Sequence, residues 1–217
     1  MVARVMIVDD DPLVRSGLKL LLGGEPGLLI AAEAANGSAA LDAHRSDPVD
    51  LVLMDLRMPV MDGIAATTAL KAAEPAPAVI VLTTFDADDY VVRALAVGAD
   101  GFLLKDTPPQ EIVAAIGNVL EGQPALSPSV TAALIKQVVD SGQRSGSVVA
   151  REGIARLTER EREVAIALAK GASNAEIGTE LYMSVATVKA HISHIFSKLG
   201  AANRVQVAIA VHDAGLV

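Results

Sequence analysis

The 217-residue chain contains no cysteine, which excludes both a disulfide framework and a thiolate metal centre. It has no tryptophan, and aromatics make up 2% of its residues, too few for a surface that holds nucleic acid by stacking on bases. No apolar run approaches the roughly 18 residues that span a bilayer. The N-terminus lacks a basic region followed by an apolar stretch and a small-residue cleavage site. A Gly-rich phosphate loop of the GxxxxGK[ST] type is also missing, which argues against a kinase or NTPase. These absences predict a soluble, cytoplasmic protein with no membrane contact.

What the chain does have is Ala, Val and Leu in quantity, a hydrophobic content of 52%, and a net charge of −8. The charge is unevenly spread. Residues 1–121 hold 8 Lys+Arg against 18 Asp+Glu, whereas residues 122–217 hold 10 against 8. An acidic first part joined to a mildly basic second part suggests two domains with different partners.

The first 120 residues alternate short apolar runs with helical patterns. Strands are predicted at Arg4–Asp9, Leu28–Glu33, Asp50–Met54, Ala78–Thr83 and Gly101–Lys105, each bounded by Gly, Pro, Asp or Asn. Amphipathic segments lie between them at Leu13–Leu22, Ile64–Ala73 and Tyr90–Val97. This pattern predicts an α/β fold: a doubly wound, five-stranded parallel sheet with helices on both faces. A break follows at Glu121-Gly122-Gln123-Pro124. Residues 122–155 then read as a linker, with an amphipathic helix near 127–139 and a Ser/Gly-rich stretch at 140–150. From 156 to 217 the pattern is purely helical, with capping boxes at Thr158-x-x-Glu161 and Ser173-x-x-Glu176. Four short helices are predicted there.

In a parallel α/β sheet the chemistry sits at the carboxyl ends of the strands. Asp9 and Asp10 close the first strand, Asp55 the third, Thr83 the fourth and Lys105 the fifth. Clustered carboxylates repel one another unless a cation intervenes, and hard oxygens suit Mg²⁺. A carboxylate nucleophile, Mg²⁺, a hydroxyl donor and an ammonium are what phosphoryl transfer to aspartate requires. Each residue taken alone also has a structural reading: an Asp as a helix cap, Thr83 as a β-branched strand residue, Lys105 as a solvated charge. Asp11, followed by Pro12, reads as a cap. Their joint placement at strand ends favours the chemical reading.

Residues 4–121 resemble the receiver domain of bacterial two-component response regulators, a flavodoxin-like fold. The matching motifs are Val8-Asp9-Asp10, Asp55 with Met58-Pro59 and Asp62-Gly63, Leu82-Thr83-Thr84, and Gly98-Ala99-x-Gly101-Phe102-x-x-Lys105. The resemblance implies that Asp55 accepts phosphate from a sensor histidine kinase. It further implies that Asp10 and Asp55 bind Mg²⁺ directly, Asp9 through water, and Arg57 through its backbone carbonyl. Thr83 and Lys105 would contact the phosphoryl group, and Phe102 stands at the position of an aromatic switch. One departure is Asp106 after Lys105, where many receivers place a proline in a cis peptide.

In Ser184–Leu199, Val188, Ile192, Ile195 and Leu199 recur at helical spacing and form a core-facing stripe. The other face carries Ala186, Lys189, Ala190, Ser193 and Ser197, a low-bulk surface that the major groove of B-DNA can admit. A solvated face is the alternative. The segment Leu157–Leu216 resembles a LuxR-type helix-turn-helix domain. The matches are Leu157-Thr158-x-Arg160-Glu161-x-Glu163-Val164, Gly171-x-Ser173-Asn174-x-Glu176-Ile177, Ser184-x-x-Thr187-Val188-Lys189-x-His191, and Lys198-Leu199-Gly200 with Arg204. The resemblance implies groove-facing roles for Lys189, Ala190 and Ser193, and phosphate contacts from Thr187, Lys198 and Arg204.

The two resemblances in this order are those of a NarL/FixJ-type response regulator. They imply a transcription factor rather than an enzyme, with promoter DNA and a sensor kinase as partners and a homodimer as its active form. The main rival is an interaction regulator whose receiver is never phosphorylated or whose helical domain binds protein. An aspartate-nucleophile phosphatase would usually place a second Asp two residues after Asp55, where this chain has Arg57.

Overall fold

The computed structural model describes residues 2–84, 93–126 and 146–217. They form two units, a sheet covered by helices and a helical bundle.

Period-two alternation explains the sheet. In β1 (Ala3–Val8), Val5 and Ile7 enter one core while Met6 and Val8 enter the other. The same split divides Leu51 and Leu53 from Val52 and Met54 in β3 (Leu51–Met54). Strands this apolar on both faces must be covered on both. One face receives Leu18 and Leu22 of α1 (Pro12–Leu22) with Ile112 and Ile116 of α4 (Pro109–Leu120). The other receives Ala40 and Leu41 of α2 (Gly37–Ser46) with Ala66 and Leu70 of α3 (Gly63–Lys71). The remaining strands are β2 (Leu28–Ala34), β4 (Ala78–Thr83), β5 (Gly101–Leu104) and β6 (Ala125–Leu126). All pairs are parallel, in the order β2-β1-β3-β4-β5-β6.

The sheet therefore has six strands where the sequence predicts five. After α4 the chain turns back through Gly122, whose φ is +84°, and Ala125 pairs with Gly101. Two apolar residues give no readable run, and the missing side chain at Gly101 allows the approach: a Cβ there would lie 2.9 Å from the Ala125 carbonyl oxygen.

Residues 93–96 are helical, while the rest of the helix expected at Tyr90–Val97 falls partly on residues outside those described. The helix expected near 127–139 lies wholly outside them. Among the described residues the bundle joins α5 (Gly146–Ala155) to the four helices expected over 156–217: α6 (Glu159–Ala169), α7 (Asn174–Glu180), α8 (Val185–Leu199) and α9 (Arg204–Asp213). The extra one, α5, occupies the end of the expected linker. Its Ile154 is buried with Leu157, Val164, Ile177, Val188, Ile195, Val207 and Val211 in a single core. The Ser/Gly-rich start concealed a helix anchored by its last turn. Both expected capping boxes close, at Thr158 with Glu161 and at Ser173 with Glu176. Among the described residues no helix is long and apolar enough to cross a membrane.

Candidate functional site

Parallel strands bring their carboxyl ends to one edge, and four expected residues meet there. The β1–β3 pairing ends at Val8 beside Met54, so Asp9 and Asp55 follow side by side. The Asp55 amide donates to the Val8 carbonyl at 2.8 Å, and the Lys105 amide to the Thr83 carbonyl at 2.8 Å. Lys105 lies across the edge: its Nζ is 2.6 Å from Asp9 Oδ2 and 3.2 Å from Asp55 Oδ2. Asp9 is 2% exposed and Asp55 6%, whereas Asp10 and Arg57 are exposed. Carboxylate oxygens of Asp9, Asp10 and Asp55 lie within 4.8 Å of one another.

The electrostatics follow from this packing. Burial pushes the Asp55 carboxyl above its ordinary value; Lys105 opposes the shift and the Asp9 charge adds to it. Burial alone would lower the Lys105 pKa, but its hydrogen bond to Asp9 and the charges of Asp55 and Asp9 outweigh that and raise it. The ammonium is thus held charged between two carboxylates, and its charge opposes the rise that burial imposes on the Asp55 carboxyl. Asp55 Oδ1 accepts the Leu56 amide at 2.9 Å, leaving Oδ2 toward Lys105. Asp9 is fixed twice, by the Asp11 amide on its Oδ1 at 3.0 Å and by Arg15, which donates to its backbone carbonyl at 2.7 Å. Sequence reasoning did not reach Arg15. A basic residue one turn into an amphipathic helix carries no signal that it will turn toward a backbone oxygen. Asp11 caps α1 by accepting the Leu13 amide at 2.8 Å. Phe102 is fully buried in β5 and Thr83 is buried at the end of β4.

In the bundle, Val188 and Ile195 are fully buried, with Ile192 and Leu199 packed against the same core. Ala186, Thr187, Lys189, Ala190, Ser193 and Ser197 are exposed. The cap places the helix: Ser184 Oγ accepts the Thr187 amide at 3.1 Å and lies 2.8 Å from the Thr187 hydroxyl. Two of the basic residues expected on phosphates have partners inside the bundle. Lys198 Nζ lies 2.6 Å from Glu161 Oε2, and Arg204 Nη2 donates to the Ala172 carbonyl at 2.7 Å.

The Lys198 hydrogen bond and the Thr158 amide draw the Glu161 pKa down to about 2 from 4.5. A carboxyl depressed in the folded state stabilises above pH 4.5, and that contribution is lost as pH falls from 4.5 toward 2. Lys198 is one-third exposed, so solvent screening reduces the contribution to roughly 1–2 kcal/mol. Amide exchange at Val164 and Val188 checks this. The wild type is expected to be more protected than Glu161→Gln at pH 6, and the difference to shrink steadily below pH 4.5.

Comparison with known proteins bears on both halves. Residues 5–117 match the response regulator receiver domain, and residues 155–211 match the bacterial regulatory proteins of the luxR family. The chain is 37% identical over 214 residues to the transcriptional regulatory protein LiaR of Bacillus subtilis (strain 168), covering 99% of each chain. It is 31% identical over 211 residues to the nitrate/nitrite response regulator protein NarL of Escherichia coli (strain K12), covering 97% of this chain and 95% of the other. Among solved structures, the response regulator ChrA of a heme-sensing two-component system matches with TM-score 0.53 and 36% identity, over 100% of this chain and 99% of that one. The chain belongs to the two-component response regulators of the NarL type, which join a receiver domain to a LuxR-type DNA-binding domain.

Proposed function

We propose that the chain is a transcription factor switched by Mg²⁺-dependent phosphorylation of Asp55 by a sensor histidine kinase. The observation that carries this reading is Lys105, which bridges Asp9 and Asp55 at the sheet edge beside a three-carboxylate cluster. A carboxylate whose Oδ2 faces the Lys105 ammonium, a group that can turn to an incoming phosphoryl oxygen, can serve as a nucleophile.

In the proposed reaction an Asp55 carboxylate oxygen attacks the phosphorus of a phosphohistidine. The new O–P bond forms as the N–P bond breaks, and the electron pair leaves with the kinase imidazole. The Lys105 ammonium, already at the site, would move from carboxylate to phosphoryl oxygen, and the Thr83 hydroxyl would donate to another. The donor set is all oxygen, which fits Mg²⁺. Asp10 and Asp55 would hold the metal directly, Asp9 through water and Arg57 through its carbonyl, supplying positive charge for the phosphoryl oxygens. Phe102 would report the change by altering its packing.

The same proposal assigns α8 to the major groove, with Lys189, Ala190 and Ser193 toward base edges and Thr187 toward phosphate. One short helix with so few cations binds weakly alone. Pairing two protomers on half-sites about one helical turn apart would correct that. Contact with promoter DNA places its action in the cytoplasm. Phos-tag electrophoresis after incubation with acetyl phosphate tests the acceptor function. A retarded band is expected with Mg²⁺ and none after EDTA; the absence of a retarded band under both conditions would overturn it.

A further inference from the structure

Arg160 and Glu161 are consecutive residues in the first turn of α6, yet they reach opposite ends of α8. Arg160 Nη2 donates to the Leu181 carbonyl at 2.6 Å, in the turn that leads into the Ser184 cap. Glu161 Oε2 accepts from Lys198 Nζ at 2.6 Å, in the last turn of α8. Both reaching side chains are themselves held. Arg160 Nη1 pairs with Glu163 at 2.6 Å, and the same Glu161 oxygen accepts the Thr158 amide at 2.7 Å. The turn between α7 and α8 needs such support. Tyr182 has φ +54°, a left-handed conformation that a bulky residue keeps only where its surroundings over-determine it. Here the Leu181 carbonyl is gripped by Arg160, and the Met183 amide bonds the Gly178 carbonyl at 2.8 Å.

We infer that Arg160 and Glu161 form a two-point clamp that fixes the orientation of α8, and that Lys198 is a positioning residue rather than a phosphate contact. The inference rests on α8 being the DNA-reading helix. Groove readout requires side chains placed within about 0.5 Å of their productive geometry. Ala186, Ala190, Ser193 and Ser197 offer small groups around the Lys189 charge, so the DNA-facing side supplies little to orient the helix. Orientation is imposed from behind. The Glu161 residue is 4% exposed, and moving Lys198 to a phosphate would leave that buried carboxylate without its counter-charge.

The test uses the full chain and two short duplexes, one selected by the wild type from a random-sequence pool and one of random sequence. Lys198→Met and Glu161→Gln are expected to weaken binding to the selected duplex about tenfold, the equivalent of one weakened base contact. Binding to the random duplex stays within about twofold, and the dependence of log affinity on log salt is unchanged for both, whereas Lys189→Met flattens that slope by about 1. The double variant costs no more than either single one, as expected for two ends of one contact. A slope flattened by about 1 in Lys198→Met would make it a phosphate contact and overturn the inference. If the wild type selects no duplex, the DNA reading itself fails, and amide exchange judges the clamp independently. Exchange should accelerate at residues 181–183 in Arg160→Met and at residues 197–200 in Glu161→Gln, in each case by more than it does at Val188; unchanged exchange at both ends overturns the clamp.

Discussion

Asp55→Asn is expected to lower phosphorylation by acetyl phosphate by roughly 10³-fold or more, the scale of loss when a nucleophile is removed. The carboxamide keeps the shape of the side chain and an oxygen for the Leu56 amide, but it loses the anionic oxygen that would attack phosphorus in the proposed reaction. The loss should not come from unfolding. Burial raises the Asp55 pKa above its ordinary 3.8, so at neutral pH the ionised group lowers folding stability relative to a neutral one. Asparagine removes that cost and the repulsion from Asp9, while Lys105 retains its 2.6 Å contact with Asp9. The variant is therefore expected to melt at the wild-type temperature or above it. Phosphoprotein mass spectrometry and a thermal melt on the same preparation check both statements. Persistent labelling of the variant would move the acceptor to Asp9 or Asp10.

Gly63→Ala is expected to destabilise the sheet unit by about 3 kcal/mol or more, the upper end of the range for forcing extra volume into packed structure. A Cβ at this position would lie 2.1 Å from the Asp55 carbonyl oxygen and 2.9 Å from the Leu56 Cα. Both are backbone atoms and cannot swing aside. The approach is built in, because the Gly63 amide donates to the Leu56 carbonyl at 3.0 Å while Asp62 caps the same helix. With a urea slope of about 1–3 kcal/mol per molar, the midpoint should fall by at least about 1 M. Gly17→Ala provides the opposite case. Nothing lies within 4 Å of its Cβ position and the residue sits inside α1, so a gain of about 0.5–1 kcal/mol is expected. A Gly63→Ala variant as stable as the wild type would show that the loop after Asp55 relaxes freely.

The carboxylate edge was legible because each of its residues closes a run of apolar strand, and parallel order then brings the ends together. Asp55, Asp9 and Lys105 needed no long-range information beyond the βα alternation. The bundle was legible through its punctuation, since Thr158 with Glu161 and Ser173 with Glu176 follow a local capping rule. Two elements were hidden for opposite reasons. Strand β6 has two residues and so no pattern, and α5 begins in Gly/Ser composition and shows its purpose through Ile154 in the core. The partners of the long basic side chains were beyond local reading. Lys198 lies 37 positions from Glu161 and Arg204 lies 32 from Ala172. No local pattern in the sequence says whether such a side chain turns outward to a phosphate or inward to a partner. Arg160 was visible as part of a motif, but its grip on the Leu181 carbonyl depends on a turn that only the folded bundle creates.

The central claim is that chemistry at Asp55 controls what α8 does. It is tested most directly by the affinity of the wild-type chain for DNA selected from a random pool, measured with and without acetyl phosphate and Mg²⁺. A gain of about tenfold or more is expected on phosphorylation, the lower range of couplings that act as switches, and none in Asp55→Asn. An affinity that stays the same when the wild type is shown to be phosphorylated would contradict the account.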